Sequence, residues 1–345
     1  MKLFHGLHFH NLRGDLFGGL TAAVVALPLS LAFGVASGAG PIAGLYGAIF
    51  VGFFAALFGG TPAQVSGPTG PMTVIAAVVI ADYAHNPAMA FTVVVMAGAF
   101  MILFGALRLG QYIRLVPYPV ISGFMSGIGC IIILIQLGPL LGHIGQGGNP
   151  MAALERLPQQ IHTLSLTALG LGVLTLLIVY LMPARINRLV PAPLIALLAC
   201  SLIGTFVLTG SPAIGEIPTG LPTPKLPSFE LSALPMMLES ALTLAVLGSI
   251  DSLLTSLVAD NLTRTRHESN RELVGQGIGN MVAGLMGGLP GAGATMRTVV
   301  NVRSGGRTPL SGMIHAMVLL GIVLGLGGFA AYIPHAVLGI GNPTA

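Results

Sequence analysis

The sequence has 345 residues, of which 54% are hydrophobic and 7% charged, with a formal net charge of +4. A soluble domain carries about 25% charged residues, so this composition excludes a chain dispersed in water. Unbroken apolar runs of about 20 residues also exclude an outer-membrane barrel, whose strands alternate apolar and polar positions. The fold class expected is an all-α polytopic membrane protein.

In chain order, residues 1 to 15 (MKLFHGLHFHNLRGD) are polar, and the apolar run behind them is too long for a cleaved signal peptide. They read as a cytoplasmic N-terminal segment. Its His5, His8 and His10 are a candidate metal cluster, but on a tail with no cysteine or acid nearby a solvated segment is the plainer reading. Apolar runs then follow at 16 to 37, 41 to 60, 88 to 107, 119 to 141, 164 to 182, 191 to 209, 234 to 258, 272 to 289 and 309 to 333. Each is read as a membrane segment. Cys130 and Cys200 lie inside such runs and read as small hydrophobes.

Lys and Arg are retained on the cytoplasmic side of short loops. Lys2 and Arg13 place the N-terminus inside. If short segments near Thr69 and Thr295 count as crossings, then Arg108, Arg114, Arg185, Arg188, Arg264, Arg266, Arg271, Arg303 and Arg307 fall inside as well, with Arg156 and Lys225 outside. Basic residues spread over separate loops form no nucleic-acid stripe. The charge run Asp260, Arg264, Arg266, Glu268 and Glu272 reads as a solvated or locally paired cytoplasmic face.

The Pro-rich segment near 210 to 235 divides the chain. The domains expected are a first transmembrane repeat at 16 to 210, an external linker at 211 to 233 and a second repeat at 234 to 345. In each repeat a full span is followed by a Gly-rich span and then by a helix too short to cross. In the first repeat the full span is broken by Pro28 and the short helix is SGPTGPMTVIAAVVIAD. In the second the full span carries Asp251 and the short helix is GAGATMRTVVNV. Interrupted segments at corresponding places in two halves point to a transporter's binding site. The chain ends 50 residues after Thr295 (345 minus 295). The second repeat is therefore read as incomplete, with about 12 membrane segments in all, two of them half-helices.

Glycines and prolines before Thr69 and Thr295 let backbone approach a ligand and start helices at mid-membrane. Such an N-terminus offers free N–H groups and a positive dipole end, an anion site without a charged side chain. No Gly-Lys-Ser/Thr follows, which argues against a nucleotide loop. Arg297, two residues past Thr295, pairs with an acid such as Glu239, snorkels, or lends its charge to the pore. Asp251 and Thr255 share a helix face. With backbone carbonyls near Gly293, Ala294 and Thr295 they suit Na+; the alternatives are a proton relay through Asp251 and an acid merely compensated by a helix dipole or by Arg297. No Ser/His/Asp or Cys/His set stands out, so no enzyme is expected.

Five stretches resemble the sulfate permease family of anion transporters, and within it the bicarbonate-carrying branch. They are NLRGDLFGGLTAAVVALPLSLAFGVASGAGP, FFAALFGGTPAQVSGPTGPMT, PYPVISGFMSGIG, GSIDSLLTSLVADNLTRTRHESNRELVGQGIGN and GAGATMRTVVNVRSGGRTPLSG. The resemblance implies two inverted repeats of seven segments, a core and a gate domain, and elevator-like motion. It assigns anion contacts to Thr69, Ala294 and Thr295, and a Na+ site to Asp251, Thr255, Gly293, Ala294 and Thr295. Arg297 stands where the bicarbonate branch carries glycine and other members carry arginine. The family's last two spans and its soluble STAS domain, which contributes to homodimers, are not in this sequence, so a C-terminally truncated chain is expected. The function expected is secondary, Na+-coupled uptake of bicarbonate across the bacterial plasma membrane, with no cofactor and no nucleic-acid partner. The alternatives are a sulfate, chloride or dicarboxylate transporter, proton-coupled or exchanging, and a non-transporting fragment.

Overall fold

The computed structural model describes residues 6, 8 to 115, 118 to 143, 150 to 183, 186, 192 to 206 and 222 to 330. Lys2, His5, Arg185, Arg188 and the last 15 residues, with the expectations placed on them, lie outside that set. Twelve helices are described: α1 Leu12–Ala36, α2 Pro41–Phe58, α3 Gly70–Asp82, α4 Pro87–Ala106, α5 Tyr118–Leu140, α6 Pro150–His162, α7 Leu166–Leu181, α8 Ala192–Phe206, α9 Leu234–Thr263, α10 Ser269–Leu285, α11 Thr295–Arg303 and α12 Pro309–Ala330. Among them α1, α2, α4 and α9 are long and apolar enough to cross a bilayer by themselves. Each of the nine expected apolar runs holds a helix over its described residues. The amphipathic α6 was not expected, because its apolar residues are too few for a hydropathy signal.

Prolines open α2, α3, α4 and α9, where a missing N–H costs nothing. Pro28 lies inside α1. Two strands of two residues, β1 Ser66–Gly67 and β2 Ala292–Gly293, pair antiparallel, with Ser66 opposite Gly293 and Gly67 opposite Ala292. Since the strands run in opposite directions, the half-helices α3 and α11 that follow them leave the ladder in opposite directions. Both start from the same small patch of backbone.

The helices around this ladder pack in a repeating pattern. α4 lies on α9 and α10, and α12 lies on α1 and α2; α3 touches α9, and α11 touches α1. Exchanging α1 to α4 with α9 to α12 returns the same contacts, which is the two-fold relation of an inverted repeat. Close approach depends on small residues. A β-carbon on Gly98 of α4 would stand 2.5 Å from the carbonyl of Gly277 in α10, and one on Gly277 would stand 2.6 Å from the Gly98 carbonyl. Helices α5 to α8 form a second group that meets the first through α1 and α3.

At one end of the first group charged residues of both signs gather. Arg108, Glu268 and Arg271 line one cavity of about 640 Å³. At the same end Asp15 accepts from the N–H groups of Arg307 (2.8 Å) and Thr308 (2.9 Å) and from the Thr308 hydroxyl (2.8 Å). Asp15 is thus fully buried in α1 and caps the start of α12, where the sequence had placed it at the end of a tail. At the other end the linker residues from 222 on lie against the helices. Lys225 N–H donates to the Leu285 carbonyl (2.7 Å), Ser228 N–H donates to Thr92 Oγ1 (2.9 Å), and the Lys225 ammonium stands 4.4 Å from the centre of the Phe91 ring.

Candidate anion and cation site at the paired half-helices

Helix α3 starts at Thr69 without a side-chain cap. A threonine there ordinarily accepts from the N–H of the second or third helical residue. Here its hydroxyl donates instead to Asp251 Oδ2 at 2.7 Å. The N–H groups of Gly70 and Met72 consequently find no hydrogen-bond partner among the described residues. Helix α11 has Ala294 as its cap residue, which offers no side-chain acceptor. The N–H groups of Thr295, Met296 and Arg297 are likewise unpaired among the described residues. Two uncapped N-termini, each carrying about half an elementary charge, therefore start at the ladder.

The residues singled out from sequence do converge here, in unequal ways. Thr69, Asp251, Thr255, Gly293, Ala294 and Arg297 are buried, and Thr295 is half-buried. The Thr255 hydroxyl lies 2.8 Å from the Gly293 carbonyl and 2.7 Å from the Thr295 hydroxyl. Ala294 is committed elsewhere: its N–H donates to the Val65 carbonyl (2.9 Å) and its carbonyl accepts from Thr298 (2.9 Å). Its backbone is part of the loop's frame, and the open donor beside it is Thr295 N–H.

Arg297 is 1% exposed. It makes no ion pair with Glu239 or any other acid among the described residues; Nη2 donates to the Pro68 carbonyl at 3.1 Å, while Nε and Nη1 have no partner. A β-carbon on Gly67 would fall 2.5 Å from Nη1. The guanidinium thus lies beneath the loop that leads into α3. His315 of α12 is also fully buried with neither ring nitrogen paired, and a β-carbon on Gly52 would sit 3.3 Å from its Nδ1.

The sequence reading missed the frame that holds both loops. Glu272 was placed in a solvated charge run, yet it is 2% exposed and accepts four hydrogen bonds. Oε2 takes the N–H groups of Gly60 and Thr61 (both 2.9 Å), and Oε1 takes the amides of Gln64 and Gln276 (both 2.8 Å). Gln276 also donates to Ser66 Oγ (2.6 Å), Asn280 exchanges two bonds with the backbone of Gly291, and Ser252 Oγ accepts from Gly293 N–H (3.0 Å). A legible signal existed: Glu272, Gln276 and Asn280 recur every four residues, a polar stripe along one face of a Gly-rich apolar helix.

Among the described residues no three His, Cys, Asp or Glu side chains gather as a metal site. His8 and His10 lie with ring centres 5.6 Å apart, with no third ligand among the described residues, which do not include His5. The donors at the half-helices are all oxygen, with one carboxylate, which suits a hard cation.

Paired half-helices crossing at a short ladder between two inverted repeats define a membrane transporter fold. The chain belongs to the sulfate permease family, whose model matches residues 12–340. It is 52% identical to the bicarbonate transporter BicA of Picosynechococcus sp., over 98% of this chain and 62% of that protein. To BicA of Synechocystis sp. it is 55% identical, over 98% and 61%. A putative sulfate transporter of Bacillus subtilis, YvdB, is 36% identical over 96% and 64%. The chain thus spans about three fifths of the length of these curated relatives. The solved transmembrane domain of a cyanobacterial bicarbonate transporter BicA superposes with a TM-score of 0.92 at 53% identity, over 99% of this chain and 90% of that one. SLC26A9 shares the fold, with a TM-score of 0.81 at 20% identity, over 98% and 58%.

Proposed function

We propose that this protein carries bicarbonate into the bacterial cell, coupled to Na+, with the anion held between the open N-termini of α3 and α11. The arginine-bearing end of the first helix group faces the cytoplasm in this reading. The observation that carries the coupling is Asp251: a buried carboxylate that has no cationic partner among the described residues and is hydrogen-bonded to Thr69, the residue that opens α3.

Two like charges about 4 Å apart repel by roughly 4 kcal/mol at an effective dielectric near 20, about a thousandfold in affinity. An anion at the end of α3 therefore meets a penalty from Asp251 unless a cation neutralises it first. Na+ between Asp251, Thr255 and the carbonyl of Gly293 removes that penalty and adds attraction. Bicarbonate then binds through backbone N–H groups, and the two ions travel together. Motion of the first helix group against α5 to α8 would carry the site across the membrane, because the polar frame of Glu272, Gln276 and Asn280 ties both loops to α10 and moves with them. The relatives' names and the fold support the anion; the carboxylate supports the cation.

Arg297 favours a second reading. Its positive charge beneath α3 would attract the divalent sulfate ion more than bicarbonate, and one relative is named a putative sulfate transporter. Competition of unlabelled sulfate against labelled bicarbonate uptake separates the readings. Bicarbonate carriage predicts little competition in the wild type and less in Arg297→Gly; sulfate competing more effectively than bicarbonate itself reverses the assignment.

A further inference from the structure

We propose that α6 is an interfacial helix, lying in the lipid headgroup region at the C-terminal end of α5 and anchoring the α5 to α8 group in that leaflet. With 13 residues, at about 1.5 Å per residue, it is too short to cross a hydrocarbon core of about 30 Å. It also turns away from α7 by 116° across a break of a few residues. With the whole apolar run from 164 to 182, which contains α7, as the crossing segment, α6 runs nearer the membrane plane than its normal.

Three faces can be distinguished around this helix. Ala153, Leu157 and Gln160 are half-buried toward the protein. The Gln160 amide lies 3.2 Å from where a β-carbon on Gly138 of α5 would stand, and the Gln160 carbonyl lies 3.2 Å from His143 Nε2. Met151, Leu154 and Ile161 form an exposed apolar stripe, 62%, 42% and 55% accessible. Glu155 and Gln159 form an exposed polar stripe on the adjoining arc. A helix with one face on protein, one apolar and one polar matches the boundary where acyl chains meet water.

The lipid is chosen over a protein partner because the apolar stripe continues into an apolar surface of membrane-crossing helices. Leu166, Leu177 and Leu181 of α7 and Ile133 of α5 are exposed apolar residues among those described, a surface of the kind that acyl chains cover. The stripe on α6 is the edge of that lipid-facing surface. Its polar neighbours mark where the surface ends.

The sequence contains no tryptophan, so a single introduced one reports its own surroundings. Leu154→Trp and Glu155→Trp are adjacent in sequence and about 100° apart around the helix. Both positions are exposed, which leaves folding intact; Ile161→Trp and Gln159→Trp provide a second pair. The chain is reconstituted in phosphatidylcholine vesicles with acyl chains brominated near the headgroup, and quenching is compared with that by aqueous acrylamide. Interfacial seating predicts at least twofold stronger quenching by brominated lipid at positions 154 and 161 than at 155 and 159, with the reverse order for acrylamide. Equal acrylamide access at all four positions would mean that α6 stands clear of the bilayer. Shielding of all four from both quenchers would mean that protein covers it. Either outcome overturns the proposal.

Discussion

The hydroxyl of Thr69 donates to Asp251 Oδ2 at 2.7 Å, joining the residue that opens α3 to the buried carboxylate of α9 across 182 positions of sequence. The proposed anion and cation sites are therefore adjacent, and coupling between them predicts that a change at either one is felt at the other. A hydrogen bond to a buried charged group contributes about 1.5 to 3 kcal/mol, roughly ten- to a hundredfold in an equilibrium constant. Thr69→Ala is expected to weaken both bicarbonate and Na+ activation of uptake by about tenfold or more, whereas Thr69→Ser, which keeps the hydroxyl, stays within about threefold. Uptake curves in each ion, measured with the other saturating, check this.

Thr255→Val preserves shape and removes the hydroxyl that meets Gly293 and Thr295. Uptake is expected to require about tenfold more Na+ for half-activation, while the melting temperature in detergent changes little. A large fall in melting temperature with unchanged Na+ dependence would make Thr255 a structural residue only.

Glu272 is the hub of the frame beneath the loops. Glu272→Ala leaves four buried donors without their acceptor, and is expected to lower the melting temperature by several degrees. Glu272→Gln falls between the two, because its amide oxygen can serve Gly60 and Thr61 while its NH2 opposes the donors of Gln64 and Gln276 unless they rotate. Equal stability of all three proteins would show that the frame is dispensable.

Gly67 has a φ of 155° and no room for a β-carbon beside Arg297 Nη1. Gly67→Ala is expected to abolish most uptake in the wild-type background and to be partly relieved in Arg297→Gly, where the contact with Nη1 is gone and the 3.1 Å approach to Ala48 Cα remains. Measured as a double-mutant cycle, the two changes should be non-additive. Additive losses would place the cost in backbone conformation and the approach to Ala48 rather than at Arg297.

The sequence made the architecture legible because each apolar run is also a helix, and because glycine and proline mark the starts of α3 and α11. The candidate residues Thr69, Asp251, Thr255, Thr295 and Arg297, which gather at the half-helices, stand out for a related reason: polar side chains are conspicuous in an apolar chain. Asp15 and Glu272 were misplaced, since each lies at the edge of an apolar run, where a charge is normally solvated. Only the tertiary fold brings the helix start at Thr308 over Asp15, and the loop at Gly60 over Glu272. The direction of the Arg297 side chain was equally invisible, because nothing local specifies that Pro68, 229 positions away, supplies its acceptor. Helix α6 escaped notice because an interfacial helix carries its signal in the arrangement of residues rather than in mean hydropathy.

The central claim is that Asp251 couples bicarbonate to Na+. It is tested by uptake of labelled bicarbonate into proteoliposomes, with an inward Na+ gradient or with choline in its place, for the wild type and Asp251→Asn. Coupling through Asp251 predicts that the gradient stimulates wild-type uptake at least tenfold, within the roughly thousandfold penalty of an unneutralised carboxylate beside the anion, and that Asp251→Asn abolishes the stimulation. Wild-type bicarbonate uptake that is the same in Na+ and choline would contradict it.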